Sequence, residues 1–307
     1  MSASVHQMGS VQVILGDKSG KYPDGNQVVV RGAEMQVAFD MPLVSRTLGG
    51  VLDEVDAVIL GHVHEDHMAG LGRLAPLPLW VHEGDLAAAQ SWEGMARHCG
   101  YSPEVLSVWH ERMVQDFFYQ PRPDAQGYAD GHVWDLGGGV TIRACHLPGH
   151  TTGHCALVVE PEGVAFIGDI DLTGFGPYYG DATSSLAQFR QSLIAVRDLP
   201  VRAWVTSHHR GVITERESFE SALQAFADKL DQRSQKLLGM LRDEPQTLDA
   251  LVEQRLVYPV GFEAVFVRDV ERRMIEQHLH ELIEAGQVRC IDEQAGLFAQ
   301  ISPSSRA

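Results

Sequence analysis

Cysteine is scarce in this chain, and its spacing does not suggest structural bridges. The 307 residues include only 4 cysteines, and no two of them form a C-x-x-C pair: Cys99, Cys145, Cys155 and Cys290. Isolated cysteines are typical of reduced thiols, whereas small secreted domains carry a dense disulfide framework. Residues 1–15 lack the basic stretch followed by an apolar stretch that marks a signal peptide. We therefore expect a cytoplasmic protein with free thiols.

Long apolar runs and basic residues are also in short supply. No apolar run approaches the ~18 residues that a membrane-spanning helix needs, so we expect no membrane partner. The chain has 24 Lys and Arg against 41 Asp and Glu, which gives a net charge of −17. Binding to a phosphate backbone needs clustered Lys and Arg. Nucleic acid is therefore not an expected partner, and a small-molecule substrate is.

Apolar residues and histidine are abundant by comparison. With 44% apolar and 21% charged residues, the chain can bury a large core and is not intrinsically disordered. Its length exceeds the ~200–250 residues of a large single domain, so we expect one large domain and a smaller one. The 15 histidines exceed ordinary usage. Their spacing must decide whether they form a metal site.

Residues 1–215 predict an α/β domain, because short apolar strands alternate with Gly-rich turns and some helices. Residues 57–60 are a continuous apolar run, as expected for a strand buried on both faces. Helices are predicted at residues 85–97 and 186–196. Further strands are predicted at residues 11–15, 27–31, 35–39, 79–81, 140–144, 156–159, 164–167 and 203–205.

An aromatic segment, residues 86–134, interrupts this pattern with irregular, Pro- and Gly-punctuated sequence. Two interpretations stay open: an ordinary packed insertion, or a lid or pocket wall with aromatic faces for an apolar substrate.

Residues 216–307 predict a second domain that is mainly helical. Helices are expected at residues 217–242, 247–255 and 269–285, followed by a hairpin of residues 287–291 and 297–301. This order is that of a winged-helix module. Residues 263–285 carry three Arg against six acidic residues, which argues against reading DNA. We expect a structural appendage, and its long helix is a candidate for a homodimer contact.

The strongest local signal follows the buried strand, where His62, His64, Asp66 and His67 occur within six residues. Residues i and i+2 of an extended segment point to the same side, so His62 and His64 can bind one ion. The chain then turns, and Asp66 and His67 can face a second ion. Imidazole and carboxylate ligands suit zinc, and also iron or manganese.

Three other strand ends supply more ligands of the same type. They carry Gly149-His150, Gly168-Asp169 and Ser207-His208-His209. Loops at strand ends are the usual place for a site on an α/β scaffold. Asp40 follows the strand at residues 35–39 in the same manner.

The ordered set His-x-His-x-Asp-His, Gly-His-Thr, Gly-Asp and a strand-end His resembles the metallo-β-lactamase fold superfamily over about residues 10–215. The resemblance implies an αββα sandwich with a binuclear site. It implies that His62, His64 and His150 bind the first metal ion. It also implies that Asp66, His67 and His208 bind the second and that Asp169 bridges both. The tail resembles that of the β-lactamase-like protein 2 group.

The chemistry that the resemblance implies is hydrolysis. A hydroxide bridging two ions, with zinc preferred over iron or manganese, would be the nucleophile. Asp66 would orient it and pass a proton to the leaving group. Asp40 would have a supporting role, although Met41-Pro42 follows it where the family usually has Thr-Gly. The expected substrate is a neutral or apolar carboxylic ester, thioester or lactone.

Several points stay open in the sequence. His208 is favoured over His209 as the last ligand, and His82, His146 and His154 are expected to be structural. Tyr178 or Tyr179 either bonds a substrate oxygen or simply packs. Alternative functions on the same scaffold are a phosphodiesterase or endoribonuclease, disfavoured by the charge, and an iron-dependent redox enzyme.

Overall fold

The computed structural model describes residues 4–74 and 77–301, so the outer limits of the two predicted domains, residues 1 and 307, lie outside the described residues. The strands are β1 Val5–Met8, β2 Val11–Ile14, β3 Gln27–Arg31, β4 Gln36–Phe39, β5 Ala57–Ile59, β6 Leu79–His82, β7 Gln126–Tyr128, β8 Val133–Asp135, β9 Thr141–His146, β10 Cys155–Glu160, β11 Val164–Phe166, β12 Ala203–Val205, β13 Val212–Ile213, β14 Gln246–Thr247, β15 Val288–Asp292 and β16 Leu297–Gln300. The helices are α1 Glu65–Met68, α2 Leu86–Gln90, α3 Trp92–Cys99, α4 Pro103–Asp116, α5 Leu186–Arg197, α6 Arg216–Met240, α7 Leu248–Gln254 and α8 Val267–Glu284.

Two large sheets form the centre of the fold. The first has seven strands in the order β1 to β7, and the second has six in the order β13-β12-β11-β10-β9-β8. In the first sheet β4 to β7 are parallel, and in the second β11 and β12 are parallel. The carboxyl ends of these strands therefore meet at one edge of each sheet.

Alternating side chains explain why the sheets face each other with helices outside. In β3, Val28 and Val30 belong to the core between the sheets, whereas Val29 packs with Trp109 and Met113 of α4. In β10, side chains alternate likewise between the inter-sheet core and the core beneath α5 and α6. Because successive strand residues point to opposite faces, strands covered on both sides are apolar throughout. The layers are helix, sheet, sheet and helix.

The C-terminal part of the chain has an apolar cluster and a small sheet of its own. The end of α6 packs with α7, α8 and β15 in a separate apolar cluster. The sheet has the order β14-β16-β15. Thr247 caps α7, as its sequence position suggests, because its hydroxyl accepts a hydrogen bond from the amide of Ala250. In the described ranges no helix has both the length and the apolar character to cross a bilayer.

The structure divides one helix expected in the aromatic segment and overturns another expectation there. The helix predicted at residues 85–97 is two helices, because Ser91 is extended and accepts a hydrogen bond from the amide of Gly94, which starts α3. The prediction of irregular structure for this segment is wrong, because it contains α4, a helix of 14 residues. Pro103 stands at its first turn, where proline starts a helix and does not break one.

Candidate metal centre

The predicted ligands meet at the strand ends on one edge of the sandwich. His62 and His64 follow β5, and Asp66 and His67 lie in the single turn of α1. His150 lies in the loop between β9 and β10, Asp169 follows β11 and His208 follows β12. The structure brings together all seven: His62, His64, Asp66, His67, His150, Asp169 and His208.

The first group consists of His62, His64, His150 and Asp169, whose potential ligand atoms all lie within 4.8 Å of one another. His150 Nε2 lies 3.2 Å from His62 Nε2 and 3.0 Å from His64 Nδ1. The Asp169 Oδ2 atom is 3.4 Å from His150 Nε2. Three imidazoles and a carboxylate around one point are a donor set for a transition metal ion.

The second group consists of Asp66, His67 and His208, with Asp169 beside it. His208 Nε2 lies 3.2 Å from Asp66 Oδ2 and 3.4 Å from Asp169 Oδ1. His67 Nε2 is 3.2 Å from the same Asp169 oxygen. Asp169 thus directs one oxygen to each group, which is the position the resemblance gives it.

Hydrogen bonds fix the tautomers of two rings in the first group, those of His64 and His150. His150 Nδ1 donates to the carbonyl oxygen of Tyr178 at 3.0 Å, and His64 Nε2 donates to Asp181 at 2.7 Å. Both acceptors are oxygens without hydrogen, so in the neutral rings the other nitrogens carry lone pairs. Those lone pairs, on His150 Nε2 and His64 Nδ1, face each other across 3.0 Å. A cation between them removes this repulsion.

The second group shows the same arrangement. His67 Nδ1 donates to Asp40 Oδ2 at 2.7 Å, and His208 Nδ1 donates to two backbone carbonyl oxygens. When both rings are neutral, as binding to a metal ion requires, their Nε2 lone pairs face the carboxylates of Asp66 and Asp169. Among the described residues, Asp66 Oδ2, His67 Nε2 and Asp169 Oδ1 are buried without a hydrogen-bond partner. Buried acceptors left in this way fit metal ions, and their role as ligands stays a prediction.

Opposite charges within the cluster shift the pKa values of its aspartate and histidine side chains. Burial alone would raise the pKa of Asp169, but His208, His67 and His62 hold it well below its usual value. Burial alone would lower the pKa of His67, yet the carboxylates of Asp66, Asp169 and Asp40 raise it well above its usual value. The Asp169 carboxyl therefore favours its ionised form, which is the form that binds cations.

Asp40 has the supporting place that sequence analysis gives it. Its second oxygen accepts a hydrogen bond from the amide of Gly61, while the first orients His67. Its φ of 51° lies in the left-handed region, which aspartate tolerates better than most residues. The replacement of Thr-Gly by Met41-Pro42 does not remove this contact.

Two buried aspartates that sequence analysis did not identify also hold the ligands. Asp181 accepts hydrogen bonds from His64 and, at 2.8 Å, from the Tyr101 hydroxyl. Asp85 accepts from the amides of Val63 and Gly153 and so ties together the loops of His64 and His150. No local motif marks either residue, because their partners are distant in sequence.

A cavity of about 550 Å³ opens on both groups. Its lining includes five carboxylates and one lysine, Lys21, besides the histidines. Eight aromatic side chains form most of the remaining wall: Tyr22, Tyr101, Trp109, Phe175, Tyr178, Tyr258, Phe262 and Phe266. The site thus combines a polar floor with an apolar chamber large enough for a small organic substrate.

The aromatic segment contributes in both of the ways that its sequence left open. Tyr101 and Trp109 line the cavity, whereas Trp134 packs in the core between the sheets. The C-terminal part, expected to be an appendage, also reaches the site. Four of the lining residues, Tyr258, Pro259, Phe262 and Phe266, lie beyond residue 215.

The structure places the neighbouring residues of each open choice in different surroundings. His208, and not His209, lies with Asp66 and His67 in the second group. Tyr179 is fully buried, with its hydroxyl 2.7 Å from His278 Nε2, whereas Tyr178 lines the cavity.

The three histidines that the sequence predicts to be structural make contacts outside the two ligand groups. His154 Nε2 accepts from the backbone amide of Asp169, so its lone pair is already used. His82 and His146 stack on each other with ring centroids 4.2 Å apart.

Known proteins resemble this chain in sequence and in fold. Residues 45–208 match the family model of the metallo-beta-lactamase superfamily. An atrochrysone carboxyl ACP thioesterase of Pseudocercospora fijiensis is 28% identical over 190 residues, which is 62% of this chain and 50% of that relative. Another from Aspergillus chevalieri is 26% identical over 263 residues, covering 79% of this chain and 80% of that relative.

Solved structures show the same fold at low identity. A metallo-beta-lactamase family protein from Thermus thermophilus has a TM-score of 0.66 and 22% identity, over 90% of this chain and 94% of that chain. A beta-lactamase domain protein from Burkholderia ambifaria has a TM-score of 0.69 and 18% identity, over 98% and 95%. The family match covers more than half of the residues and includes all seven clustered side chains. The chain belongs to the metallo-beta-lactamase superfamily and is a metal-dependent hydrolase.

Proposed function

We propose that this protein is a binuclear zinc hydrolase that cleaves the thioester of an apolar, preferably aromatic, acyl group. One observation carries the proposal: seven ligand-type side chains lie together beside an aromatic cavity of about 550 Å³. The two relatives named above as ACP thioesterases support a thioester over the ester or lactone that the sequence left equal.

Two groups of ligands define where the metal ions would be held. His62, His64 and His150 would hold one and Asp66, His67 and His208 the other, with Asp169 between them. When bound, such ions supply an activated water and polarise the substrate carbonyl. The chain's own contribution is to fix the ligand rings through Asp40, Asp181 and the backbone carbonyls.

We assign proton transfer to Asp66. It lines the cavity, and its Oδ2 atom has no hydrogen-bond partner among the described residues. A carboxylate there can orient water for attack on the carbonyl carbon and accept its proton. A thiol leaving group needs little further help, since its pKa near 8.5 makes the thiolate a good leaving group.

The lining favours an uncharged acyl group over a phosphodiester. Five carboxylates and a single lysine face the cavity, so a polyanion would meet repulsion away from the ions. Aromatic faces instead suit a flat apolar group. Tyr178 contributes its ring to this wall and directs its hydroxyl to Asp181, at 3.3 Å.

We also propose that the C-terminal part is winged-helix-like and resembles the tail of the β-lactamase-like protein 2 group. Support comes from the order α6, β14, α7, α8 and the hairpin β15–β16. Its acidic residues and its contribution to the cavity favour a part in the enzyme over DNA reading.

The experiment is a substrate panel combined with metal analysis. Purified protein is assayed on aryl esters, lactones, acyl thioesters, bis-aryl phosphates and RNA, and its metal is quantified by mass spectrometry. We expect two zinc ions per chain and the highest kcat/KM on aromatic acyl thioesters. Preference for a phosphodiester, or turnover that needs iron and an electron donor, would overturn the proposal.

A further inference from the structure

The connection between α7 and α8 forms one side of the cavity. We call residues 256–266 the wall segment. Tyr258, Pro259, Phe262 and Phe266 of this segment line the cavity. Val260 is 80% exposed and Phe262 44% exposed, so apolar surface of the segment remains open to solvent.

Aromatic contacts join the wall segment to the large domain. The ring of Phe266 lies edge-on to Trp109, with centroids 5.2 Å apart, and is stacked 6.1 Å from Tyr101. Tyr258 stacks on Phe262 at 5.2 Å and meets Phe175 at 5.4 Å. The wall is therefore continuous across the two parts of the chain.

A buried carboxylate fixes the backbone of this segment. Glu271 of α8 has no exposed surface. Its oxygens accept hydrogen bonds from the amides of Leu256 at 2.7 Å, Val257 at 2.9 Å and Tyr258 at 2.6 Å. Burying a carboxylate is unfavourable unless its acceptors are used, and here three backbone donors use them. On the other side, Lys236 of α6 donates to the carbonyl oxygen of Leu256.

We infer that the wall segment determines which acyl group the enzyme accepts and that Glu271 is its positioning residue. The far end of a large aromatic acyl group would lie against Tyr258 and Phe262, whereas a short acyl group would not reach them. The inference rests on the proposed thioesterase activity for its main assay. It assigns the C-terminal part a direct role in substrate selection.

The first test compares acetyl and 2-naphthoyl thioesters of N-acetylcysteamine in the full chain. For Phe262→Ala we expect kcat/KM for the naphthoyl substrate to fall about 10-fold, the scale of one lost aromatic contact. The acetyl substrate should be unaffected. Ile291→Ala is the control, since this side chain is exposed to a similar extent, 47%, and does not line the cavity. An equal change on both substrates would overturn the inference.

The second test separates positioning from general stability. Glu271→Gln keeps the shape of the side chain but removes the charge that holds three amides. We expect KM to rise about 10-fold for the naphthoyl substrate, with kcat for the acetyl substrate retained. Glu276→Gln, on an exposed position of the same helix, should change neither. A parallel loss for both substrates would show a merely structural role and contradict the inference.

A binding measurement keeps the inference independent of turnover. The probe is 2-naphthoate, and its affinity is measured by fluorescence. We expect binding about 10-fold weaker in Phe262→Ala than in the wild type. Failure of the wild type to hydrolyse any thioester would refute the proposed function alone. Equal naphthoate binding by wild type and Phe262→Ala would refute the inference, whatever the wild type hydrolyses.

Discussion

The ligand cluster and the aromatic cavity beside it are assembled in opposite ways. The cluster takes its side chains from strand ends within residues 62–208, and each lies in a short motif of histidine, aspartate and glycine. The cavity takes its wall from α3, α4, the loop after β11 and a segment beyond residue 255. Local sequence motifs thus supply the ligand side chains, whereas the substrate cavity is formed by packing between distant parts of the chain.

This difference predicts that the two regions fail differently when altered. Damage to the cluster should remove metal and chemistry together, with little dependence on the acyl group. Damage to the wall should change selectivity or stability and leave the bound metal in place.

The largest effect is expected from the ligands. His64→Ala or Asp169→Ala should lose bound metal and reduce turnover to background for every substrate, because each removes a ligand-type side chain from the cluster. His280→Ala is the control, since this ring is exposed on α8 and lies outside the ligand groups. Metal analysis and kcat measured on the same samples test the expectation. Full turnover in metal-free Asp169→Ala protein would contradict the mechanism.

The next largest effect is expected from the residue that orients His64. Asp181→Asn cannot accept as strongly from His64 Nε2, so we expect metal affinity to fall 10- to 100-fold, as is typical for such partners. Competition with a chelator measures this directly. Asp198→Asn, an exposed position after α5, should leave the affinity unchanged. Equal affinities in the two variants would mean that Asp181 does not orient the ligand.

Substitution of a residue that supports the cavity wall should lower the stability of the fold and leave metal binding unchanged. Arg233 of α6 is 6% exposed and donates to Phe175 O at 2.7 Å, to Pro177 O and to the Tyr179 hydroxyl. Arg233→Met leaves these acceptors unsatisfied, so we expect a loss of about 2 kcal/mol in the free energy of unfolding. Denaturant titration beside Arg242→Met, an exposed control, measures it. Loss of metal in Arg233→Met would contradict the prediction that damage to the cavity wall leaves the bound metal in place.

The effect that is smallest per unit of change concerns the pH dependence of stability in the same part of the molecule. Burial, with Arg233 and Arg190 nearby, lowers the pKa of His278 to about 3. Unfolding restores its ordinary value near 6.5, so between these limits the unfolded chain binds more protons. Stability from this group is therefore present above pH 6.5 and is lost as the pH falls, by at most about 1.4 kcal/mol per pH unit.

Substitution of His278 separates its contribution to the pH dependence of stability from the contributions of the other titratable groups. In His278→Gln the slope of stability between pH 6.5 and 4 should be flatter than in His280→Gln, whose side chain is exposed on the same helix. Identical slopes in the two variants would exclude His278 as the source.

The limits of sequence reasoning follow the same division. His62 to His67 could be identified because an apolar strand and alternating ligands are local patterns. Asp181 could not, because its partner His64 is 117 residues away in sequence. Likewise, nothing near Glu271 shows that its carboxylate holds the backbone of Tyr258, which in turn lines the cavity. The α4 helix lies in a segment whose proline and glycine residues predict irregular structure, although Pro103 stands in the first turn of the helix.

The central claim is that these seven side chains hold two metal ions beside the cavity. Anomalous diffraction from crystals of the purified protein, recorded on both sides of the zinc absorption edge, tests it most directly. The account predicts two peaks, one among His62, His64, His150 and Asp169 and one among Asp66, His67, His208 and Asp169. A single peak, or none within these groups in protein that turns over substrate, would contradict it.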